Sequence, residues 1–404
     1  MRILHTADWH LGQSFFDRDR LPEQTRFLDF LLEQIEQRAV DLLIVAGDVF
    51  DVANPPRAAE QAYYDFLTRL HASGPCEALI IGGNHDSAPH LDAPRRLLAN
   101  LRIRVVGAFP EDPADALFQF ERGDQRLHIA AVPFLRDRDV RRAIEGETFS
   151  EMEARTKAGI LAVYSDLAQR LEGQMAPGDV ALATGHLTAV GGQLSESERS
   201  IHIGHLGSIA AGQLSGIFGY VALGHLHHPQ AVGGHAHIRY AGSPLPLSFS
   251  ESAEKQIRLL TLEGGILSQE AIPIPLARRL HRLEGSAEEI ETQLLHITPA
   301  TGDELTPWVE ATLTKGAPSP AINENLRTIA ARNGLEVLKV AFRRTAASST
   351  DFCRAEDLRS LTEWTPAEVF AKRLETAASD TPSSQLQSAF NHILHLVQEE
   401  APVP

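Results

Sequence analysis

The chain has 404 residues, of which 43% are hydrophobic and 22% charged, a globular composition with room for two or three domains. Its formal net charge of −16 argues against a polyanionic substrate, unless bound divalent cations reverse the sign of the potential at one site. The two distant cysteines, the first residues and the lack of an apolar run of ~20 residues predict a reduced, cytoplasmic protein without a signal peptide or membrane span.

Strands and helices alternate from the first residue to about residue 270. The pattern predicts a helix with Phe27, Leu31 and Ile35 at helical spacing, a helix capped by Asn54, and a helix near 150–171. Apolar runs predict the strands "RILHTAD", "DLLIVAGD", "EALIIGG", "RLHIAAVPF", "DVALATGH", "GYVALGH" and "HIRYAGS". We therefore expect an α/β domain over residues 1–270.

Two smaller regions follow this domain. Residues 273–345 predict a mixed α+β module with the strand "WVEATLT", the helix "AINENLRTIAARNG" and the strand "LEVLKVAFRR". Residues 355–399 predict two helices, the first with a capping box from Thr365 to Glu368. The second helix carries an apolar stripe formed by Leu386, Phe390, Ile393, Leu394 and Val397.

Five predicted strands end in residues that can bind a hard or borderline metal ion. In extended D-x-H and H-x-H segments, alternate side chains point to the same side, so both could reach one cavity. Imidazole and oxygen ligands without sulfur suit Mn²⁺, Mg²⁺, Fe²⁺ or Zn²⁺. Seven ligands are too many for one ion and suit two ions bridged by a carboxylate. The candidates are Asp8, His10, Asp48, Asn84, His186, His225 and His227.

The segments "DWH", "GDVFD", "GGNHD", "GH" and "GHLH" resemble the five motifs of the calcineurin-like metallophosphoesterases. Longer stretches, "ILHTADWHLG", "VAGDVFD", "ATGHL" and "GSPLPLSF", are similar to the SbcD family of bacterial nuclease subunits. The resemblance implies an α/β sandwich of mixed β-sheets flanked by helices, a small α+β capping domain for DNA recognition at 273–345, and a C-terminal helical pair at 355–399.

The resemblance also implies roles for the site residues. One metal would be held by Asp8, His10, Asp48 and His227, and a second by the bridging Asp48 with Asn84, His186 and His225. A water activated by the ions would attack a DNA phosphorus in line. His85 would stabilise or protonate the leaving oxygen, and Asp86 would orient His85. Asp51 stands where some relatives carry a histidine, and it is not assigned as a ligand.

By the same resemblance, the cofactors are two divalent ions, Mn²⁺ first and Mg²⁺ as the alternative. The partners are DNA and an SbcC-like SMC ATPase, which uses the ATP, with a homodimer of this chain inside a heterotetramer. The activities implied are a double-strand exonuclease that depends on ATP and a single-strand or hairpin endonuclease, in DNA end processing, replication, recombination and repair. Docking on the ATPase is expected at Leu361, Val369, Phe370, Phe390 and Leu394.

The sequence leaves two alternative functions open, and it does not decide the role of the basic clusters. The enzyme could act on nucleotides or other small phosphodiesters; Val52-Ala53 after "GDVFD" disfavours a phosphoprotein phosphatase, which carries Arg-Gly there. A scaffold that only binds the ATPase would be expected to lack metal ligands. The basic clusters fit either DNA phosphate contacts or solvated surface; they are Arg136, Arg138, Arg141 and Arg142, then Arg278, Arg279 and Arg282.

Overall fold

The computed structural model describes residues 1–142, 144, 147–192, 209–214, 216–302, 304–315 and 319–343, together with Phe370, Leu386 and Phe390. The chain divides into two compact units, Met1–Arg343 and Arg344–Pro404. In the second unit, the rings of Phe370 and Phe390 stack with their centroids 4.0 Å apart. The predicted capping box at Thr365 and the rest of the C-terminal stripe lie outside the described residues.

The first of two large sheets begins with the amino-terminal strand. Its strands are β1 (Arg2–Thr6), β4 (Leu42–Ala46), β5 (Glu77–Ile81), β6 (Ile103–Val106), β15 (Gln256–Glu263) and β16 (Ile266–Pro273). Their order across the sheet is β16-β15-β1-β4-β5-β6. The four strands from β1 to β6 are parallel, and β15 and β16 are antiparallel to their neighbours. The sheet is therefore mixed, as expected.

The second large sheet also has six strands. They are β7 (Leu117–Arg122), β8 (Gln125–Ala130), β9 (Val180–His186), β12 (Phe218–Gly224), β13 (Gln230–Val232) and β14 (His235–Tyr240). Their order is β13-β14-β12-β9-β8-β7, with four parallel strands between two antiparallel edges. Short strands pair separately at β2 (Ser14–Phe15) with β3 (Arg18–Asp19), and at β10 (Ala189–Val190) with β11 (Ile209–Ala210).

The two sheets face each other across one apolar core. Ile44, Leu79 and Ile81 of the first sheet share this core with Ile129 and Leu182 of the second. The outer face of the first sheet is covered by α1 (Leu21–Gln37) and α2 (Arg57–Ser73), and that of the second by α6 (Phe149–Glu172). The remaining helices of this part are α3 (Ala88–Asp92), α4 (Arg95–Ala99) and α5 (Asp137–Val140). The calcineurin-like sandwich expected from the sequence is confirmed.

A small α+β module follows β16. Its sheet contains β17 (Arg278–Gly285), β18 (Leu305–Leu313) and β19 (Glu336–Phe342), all parallel, with α7 (Ala287–His296) and α8 (Pro320–Arg332) packed on it. Trp308 of this module lies against the hairpin β2–β3, where its ring stacks on Phe15 at 5.7 Å. Arg18 of the hairpin forms an ion pair with Glu336.

Among the described residues, no helix combines the length and apolarity that crossing a bilayer requires.

Candidate metal centre

The candidate ligands follow the carboxyl ends of parallel strands in both sheets. Strands β1, β4 and β5 lie side by side in one sheet, and β9 and β12 lie side by side in the other. Because parallel strands end at the same edge, the loops that follow them meet at one rim of the sandwich. That rim brings together Asp8 and His10 after β1, Asp48 after β4, Asn84 after β5, His186 at the end of β9, and His225 and His227 after β12.

The backbone at four of these residues is left-handed. The φ angles are 54° at Asp8, 46° at His10, 50° at Asp48 and 101° at His225. The expectation of an extended D-x-H segment is therefore wrong, because the chain leaves β1 before Asp8 and turns at both residues. Left-handed backbone is costly for residues other than glycine and is found where function requires it. Convergence of these side chains thus comes from tight turns and not from strand alternation.

Three groups of three side chains are close enough to hold a cation each, and two of these groups are fully buried. Asp8, His10 and His227 form one buried group, and Asp48, His186 and His225 form the other; in each group the candidate ligand atoms lie within 4.8 Å of one another. All six residues are buried. The third group, formed by His10, Asp51 and His85, shares His10 with the first and includes two half-buried residues.

Asp48 lies between the two groups. Its Oδ2 is 3.2 Å from Nε2 of His186 and 3.7 Å from Nε2 of His10, which belongs to the other group. Oδ1 of Asn84 lies 2.9 Å from Nε2 of His186 and 2.9 Å from Nδ1 of His225. One carboxylate is thus within reach of both groups, and the Asn84 amide oxygen joins the second.

Buried ligand atoms without hydrogen bonds test whether cations fit this pocket. Oδ2 of Asp8 and Nε2 of His10 are both buried, and neither has a hydrogen-bond partner. The other oxygen of Asp8 accepts a hydrogen bond from the backbone N–H of His225 at 2.8 Å. A buried polar atom left without a partner is costly, and a cation would supply the missing interaction. The residues present therefore fit a centre for divalent metal ions.

The carboxylates and imidazoles shift one another's pKa values strongly. Burial raises the pKa of Asp8 to about 6. Burial opposes protonation of His10, but the carboxylates of Asp51, Asp48 and Asp8 outweigh it and raise the pKa of that ring to about 9. Burial is likewise outweighed at His186, where Asp48 and Asp8 raise the pKa to about 9. At Asp48 the neighbouring histidines overcome the effect of burial and hold the pKa well below its ordinary value. A cation would replace the protons that this negative pocket attracts.

The ring nitrogen that faces away from the pocket has a partner in three of the histidines. Nδ1 of His10 lies 3.1 Å from Oδ1 of Asp51, and Nδ1 of His186 lies 3.0 Å from the carbonyl oxygen of Ala46. Nδ1 of His227 lies 3.7 Å from Oε1 of Glu251. Such partners fix the ring orientation and the tautomer, so that Nε2 is available to bind a metal ion.

Glu251 belongs to a buried network below His227. Its Oε2 accepts hydrogen bonds from Nζ of Lys255 at 2.8 Å and from the N–H of Leu247 at 3.0 Å. Lys255 also donates to the carbonyl oxygen of His227 at 3.0 Å and to Oγ of Ser243 at 2.9 Å. Burial works against the charged carboxylate, but His227 and Lys255 hold the pKa of Glu251 far below its ordinary value.

The structure gives His85 and Asp86 different partners from those expected. Nδ1 of His85 lies 2.7 Å from the carbonyl oxygen of Asp51, and its backbone N–H donates to Oδ1 of Asp48 at 2.9 Å. The carboxylate of Asp86 accepts hydrogen bonds from the backbone N–H groups of Val49, Phe50 and Gly83. Asp86 therefore does not orient His85 directly; it joins the second and third strand-end loops, and Asp51 holds the His85 ring.

Sequence reasoning missed two residues that contact the site. Asp51 has no role assigned from the sequence, yet its carboxylate contacts His10 and its carbonyl contacts His85. Glu251 lies outside the five motifs, after "GSPLPLSF". The sequence could have indicated a role for Asp51, because this residue ends the motif "GDVFD". Glu251 is not at a recognisable spacing from any of the five motifs, so the sequence alone does not indicate its role.

The two basic clusters are partly engaged within the chain. Arg141 forms ion pairs with Asp137 and Glu147, and its side chain is 10% exposed. Arg278 pairs with Glu23 at 2.8 Å and lies 3.8 Å above the Trp308 ring. Structural ion pairing accounts for these two residues. Arg138 lies 3.8 Å from Asp139, but its side chain is 72% exposed and available to solvent.

Comparison with known proteins agrees with this architecture and donor set. A family model described as calcineurin-like phosphoesterase matches residues 1–237, and one described as type 5 capsule protein repressor C-terminal domain matches residues 277–378. The chain is 34% identical over 407 residues to the D subunit of the nuclease SbcCD from Escherichia coli strain K12, covering 99% of each chain.

Two further relatives carry the same name. That of Bacillus subtilis strain 168 is 34% identical over 269 residues, covering 66% of this chain and 67% of the relative. That of Rhodobacter capsulatus is 35% identical over 288 residues, covering 68% and 69% respectively. The fold and the site define a metal-dependent phosphoesterase, a hydrolase of ester bonds. The chain belongs to the calcineurin-like phosphoesterases and, within them, to the SbcD family.

Proposed function

We propose that this chain is a DNA nuclease subunit that hydrolyses phosphodiester bonds at the pocket between the two groups of ligands. The observation that carries the proposal is the position of Asp48, whose Oδ2 is within 3.7 Å of ring nitrogens from both groups. A carboxylate shared between two cation sites keeps the sites close together, and two-metal hydrolysis of phosphate esters uses two ions at short separation. The relatives' name, nuclease, supports nucleic acid as the substrate.

Two divalent ions, Mn²⁺ in preference to Mg²⁺, are the proposed cofactors. Asp8, His10 and His227 would hold one, Asn84, His186 and His225 the other, and Asp48 both. When bound, the cations activate water for attack on phosphorus and neutralise charge on the phosphoryl oxygens. The mixed imidazole and carboxylate set favours Mn²⁺, because Mg²⁺ prefers oxygen ligands and an octahedron that retains several waters.

His85 is the proposed general acid. A carbonyl oxygen only accepts hydrogen bonds, so the contact with Asp51 requires that Nδ1 of His85 carries the hydrogen. Nε2 is then the nitrogen that exchanges a proton with the substrate. When protonated it can donate to the leaving oxygen as the P–O bond breaks. The hydrogen bond from its backbone to Asp48 holds His85 at a fixed position beside the proposed bridging carboxylate.

The acidity of the chain does not prevent this function. Two divalent cations add four positive charges where the scissile phosphate must lie, against a formal net charge of −16 spread over the whole chain. Long-range repulsion would still weaken intrinsic DNA affinity. An SbcC-like SMC ATPase, which the relatives' name SbcCD implies as a partner, is expected to supply much of the DNA binding and to use the ATP.

The proposal extends to the organisation of the chain. We assign residues 1–270 to the nuclease domain, 273–345 to a capping domain that contacts DNA, and 355–399 to docking on the ATPase. A homodimer within a heterotetramer would act in the cytoplasm on double-strand ends, hairpins and single strands, in end processing and repair.

Hydrolysis of linear duplex DNA with Mn²⁺ tests the proposal against its main alternative. A DNA nuclease should degrade the duplex with the ATPase present and should cleave single strands without it. An enzyme for nucleotides or other small phosphodiesters would hydrolyse an aryl phosphodiester and leave DNA intact. Asp48→Asn should abolish cleavage and weaken both metal sites in a calorimetric titration. His228→Gln, at an exposed neighbouring histidine, is the matched control and should behave as wild type.

A further inference from the structure

An exposed phenylalanine lies at the tip of the hairpin that follows His10 in the chain. Phe16 and Asp17 form the turn between β2 and β3, with φ angles of 49° and 60°. Phe16 is 45% exposed, and no other phenylalanine whose side chain the structure describes is as exposed. Positive φ at both central residues is usual in a two-residue hairpin turn, but Asn, Asp or Gly normally occupies those positions, and a bulky phenylalanine there is costly. The turn therefore holds an apolar ring in solvent at an energetic cost.

The ring of Phe16 forms one side of an aromatic cleft. Its centroid lies 5.7 Å from that of Phe249, with the planes tilted by 40°, and 5.0 Å from that of the buried Phe15. The cleft has a volume of about 250 Å³ and is also lined by Ser248, Glu310 and Lys339. This volume lies just below the ~300–1,000 Å³ typical of sites for small molecules, so it suits one planar ring system.

The cleft is lined by one lysine and one glutamate, which form an ion pair with each other. Nζ of Lys339 lies 5.6 Å from the Phe16 ring centroid and 2.6 Å from Oε1 of Glu310. The cation thereby offsets the carboxylate that would otherwise repel a phosphate. A neutral ring with an anionic phosphate attached to it is compatible with these charges.

The segments that line the cleft continue along the chain to residues of the candidate metal centre. The carbonyl oxygen of His10 accepts a hydrogen bond from Gln13, at the start of the hairpin segment, at 3.0 Å. On the other side, Phe249 precedes Glu251 by two residues, and Glu251 contacts His227. One lining segment of the cleft therefore follows the candidate ligand His10, and the other precedes Glu251, the partner of His227.

We propose that the exposed ring of Phe16, supported by its contact with Phe249, stacks with an unpaired base of the DNA strand that is cleaved at the metal centre. This proposal rests on the proposed nuclease function. Aromatic faces stack with any base, so the contact would select unpaired strands and frayed ends over intact duplex without selecting a sequence. The occupant is a nucleobase, and a side chain of the ATPase partner is the competing occupant that the experiment must exclude.

Steady-state cleavage of single-stranded oligonucleotides by the full chain with Mn²⁺ tests this site. An abasic nucleotide is placed at each position in turn on either side of the cleaved bond. With wild type, one abasic position should raise KM by about 5- to 150-fold. Phe16→Ala should raise KM for the intact oligonucleotide by a similar factor. The KM of this variant should be the same whether or not that position is abasic. Its kcat should change little.

Controls separate stacking from misfolding and from loss of the nuclease itself. Phe16→Tyr should behave as wild type, whereas Phe16→Leu, which keeps the apolar bulk, should behave as Phe16→Ala. Leu97→Ala, at a residue that is 66% exposed, is the matched surface control. A 2-aminopurine at the sensitive position should be quenched by wild type and Phe16→Tyr but not by Phe16→Leu.

Three outcomes would overturn the inference. If Phe16→Ala cleaves DNA with the same KM as wild type, the stacking site is rejected and the proposed nuclease function is unaffected. Unchanged KM together with loss of ATPase binding assigns the cleft to the partner protein. If wild type hydrolyses an aryl phosphodiester but no DNA, the proposed function fails and the stacking site fails with it.

Discussion

At the candidate metal centre, backbone hydrogen bonds stabilise residues whose backbone is left-handed. The N–H of Asp8 donates to the carbonyl oxygen of Gly47, and that of His10 donates to the carbonyl oxygen of Asp48, each at 3.0 Å. These bonds hold two left-handed residues in place before any cation binds. A Cβ at Gly47 would clash with the ring of His186, which explains why this position needs glycine.

Replacing His85 should separate chemistry from metal binding. The ring of His85 is held by the Asp51 carbonyl; it belongs to the half-buried group with His10 and Asp51 and to neither of the two buried groups, which are the proposed metal sites. We expect His85→Gln to retain both cations in a calorimetric titration and to lose about 10²- to 10⁴-fold in kcat, the usual contribution of general acid catalysis. His228→Gln should retain full activity. DNA cleavage by His85→Gln within a few-fold of wild type would contradict this role.

The Glu251–Lys255 pair should position His227. Glu251→Gln leaves the Lys255 ammonium buried without its counterion, and the loss of one partner of a buried pair costs about 3–5 kcal/mol. The double variant Glu251→Gln/Lys255→Met should regain much of this stability in urea unfolding. It should still bind metal about 10- to 100-fold more weakly, because the partner of Nδ1 of His227 has changed. Wild-type metal affinity in the double variant would rule out a positioning role.

His5 should make the fold sensitive to mild acid. Its ring is fully buried beside the hydroxyl of Tyr220, and burial lowers its pKa from 6.5 to about 3. Below pH 6.5 the unfolded chain binds a proton at this residue and the folded chain does not, so stability falls as the pH falls. The loss should reach about 2 kcal/mol at pH 5.

Comparison of wild type with His5→Gln isolates this effect. Both proteins are unfolded in urea with EDTA between pH 7 and pH 5, so that the titration of the metal-centre histidines is common to both. The difference in unfolding free energy between the two proteins should narrow by about 2 kcal/mol over this range. A constant difference would show that His5 does not contribute to the acid sensitivity.

At the scale of elements, sequence periodicity located most of the nuclease domain but not its boundaries. Phe27, Leu31 and Ile35 all lie on the buried face of α1, as their spacing predicts. The cap predicted at Asn54 is wrong, because α2 begins at Arg57 and Pro56 occupies the N-cap position without a side-chain hydrogen bond. The helix starts directly after Pro55 and Pro56, because proline favours the start of a helix and disfavours a helical conformation at the residue before it.

Two elements of the small module escaped prediction. Strand β17 reads "RRLHRLEG", which carries four charges and lacks a clean apolar alternation. Its charged side chains are accommodated by partners distant in sequence: Arg278 pairs with Glu23, and Arg282 pairs with Glu310. The helix α7 that follows was missed with it. The pattern of apolar residues within one segment cannot indicate a strand whose charged side chains form ion pairs with residues distant in sequence.

Trp308 should couple the small module to the nuclease domain. Its indole is 2% exposed and lies between the ring of Phe15 and the guanidinium of Arg278. Trp308→Ala should cost about 3–5 kcal/mol in unfolding free energy, as removal of a buried aromatic side chain usually does. Unfolding in urea should then separate into two transitions, with the module unfolding first.

Leu295→Ala, at a residue of the same module that is 65% exposed, is the control and should unfold like wild type. A single transition in Trp308→Ala, at an unchanged midpoint, would show that the indole does not link the two parts.

At the scale of the whole molecule, sequence-based prediction of the site depended on topology. The motifs are spread from Asp8 to His227, more than half of the chain, and none is specific alone. Five strand ends imply one site only if the strands are parallel and end at one rim, which the apolar runs favoured and the two sheets confirm. The partners of His85 and Asp86 could not be predicted, because they depend on turn geometry within three adjacent loops.

The second compact unit, Arg344–Pro404, should be required for the ATPase partner and dispensable for the chemistry. All seven candidate ligands lie in the first unit, which has its own apolar cores. Truncation after Arg344 should therefore leave metal affinity and Mn²⁺-dependent cleavage of single-stranded DNA within a few-fold of the full chain. It should abolish co-purification with the SbcC-like ATPase and ATP-stimulated degradation of duplex ends.

A point variant distinguishes docking from simple loss of chain. Phe370 and Phe390 are half-buried and stack on each other at 4.0 Å, so one aspartate at either position disrupts an apolar contact that docking would use. Phe390→Asp should weaken ATPase binding at least 10-fold by titration, because a charge buried in an apolar interface costs more than the ~1.4 kcal/mol that this factor represents. Ser388→Asp, two residues away and on the opposite face of the predicted helix, should bind normally. Undiminished ATPase binding by the truncated chain would remove the basis for docking through this unit.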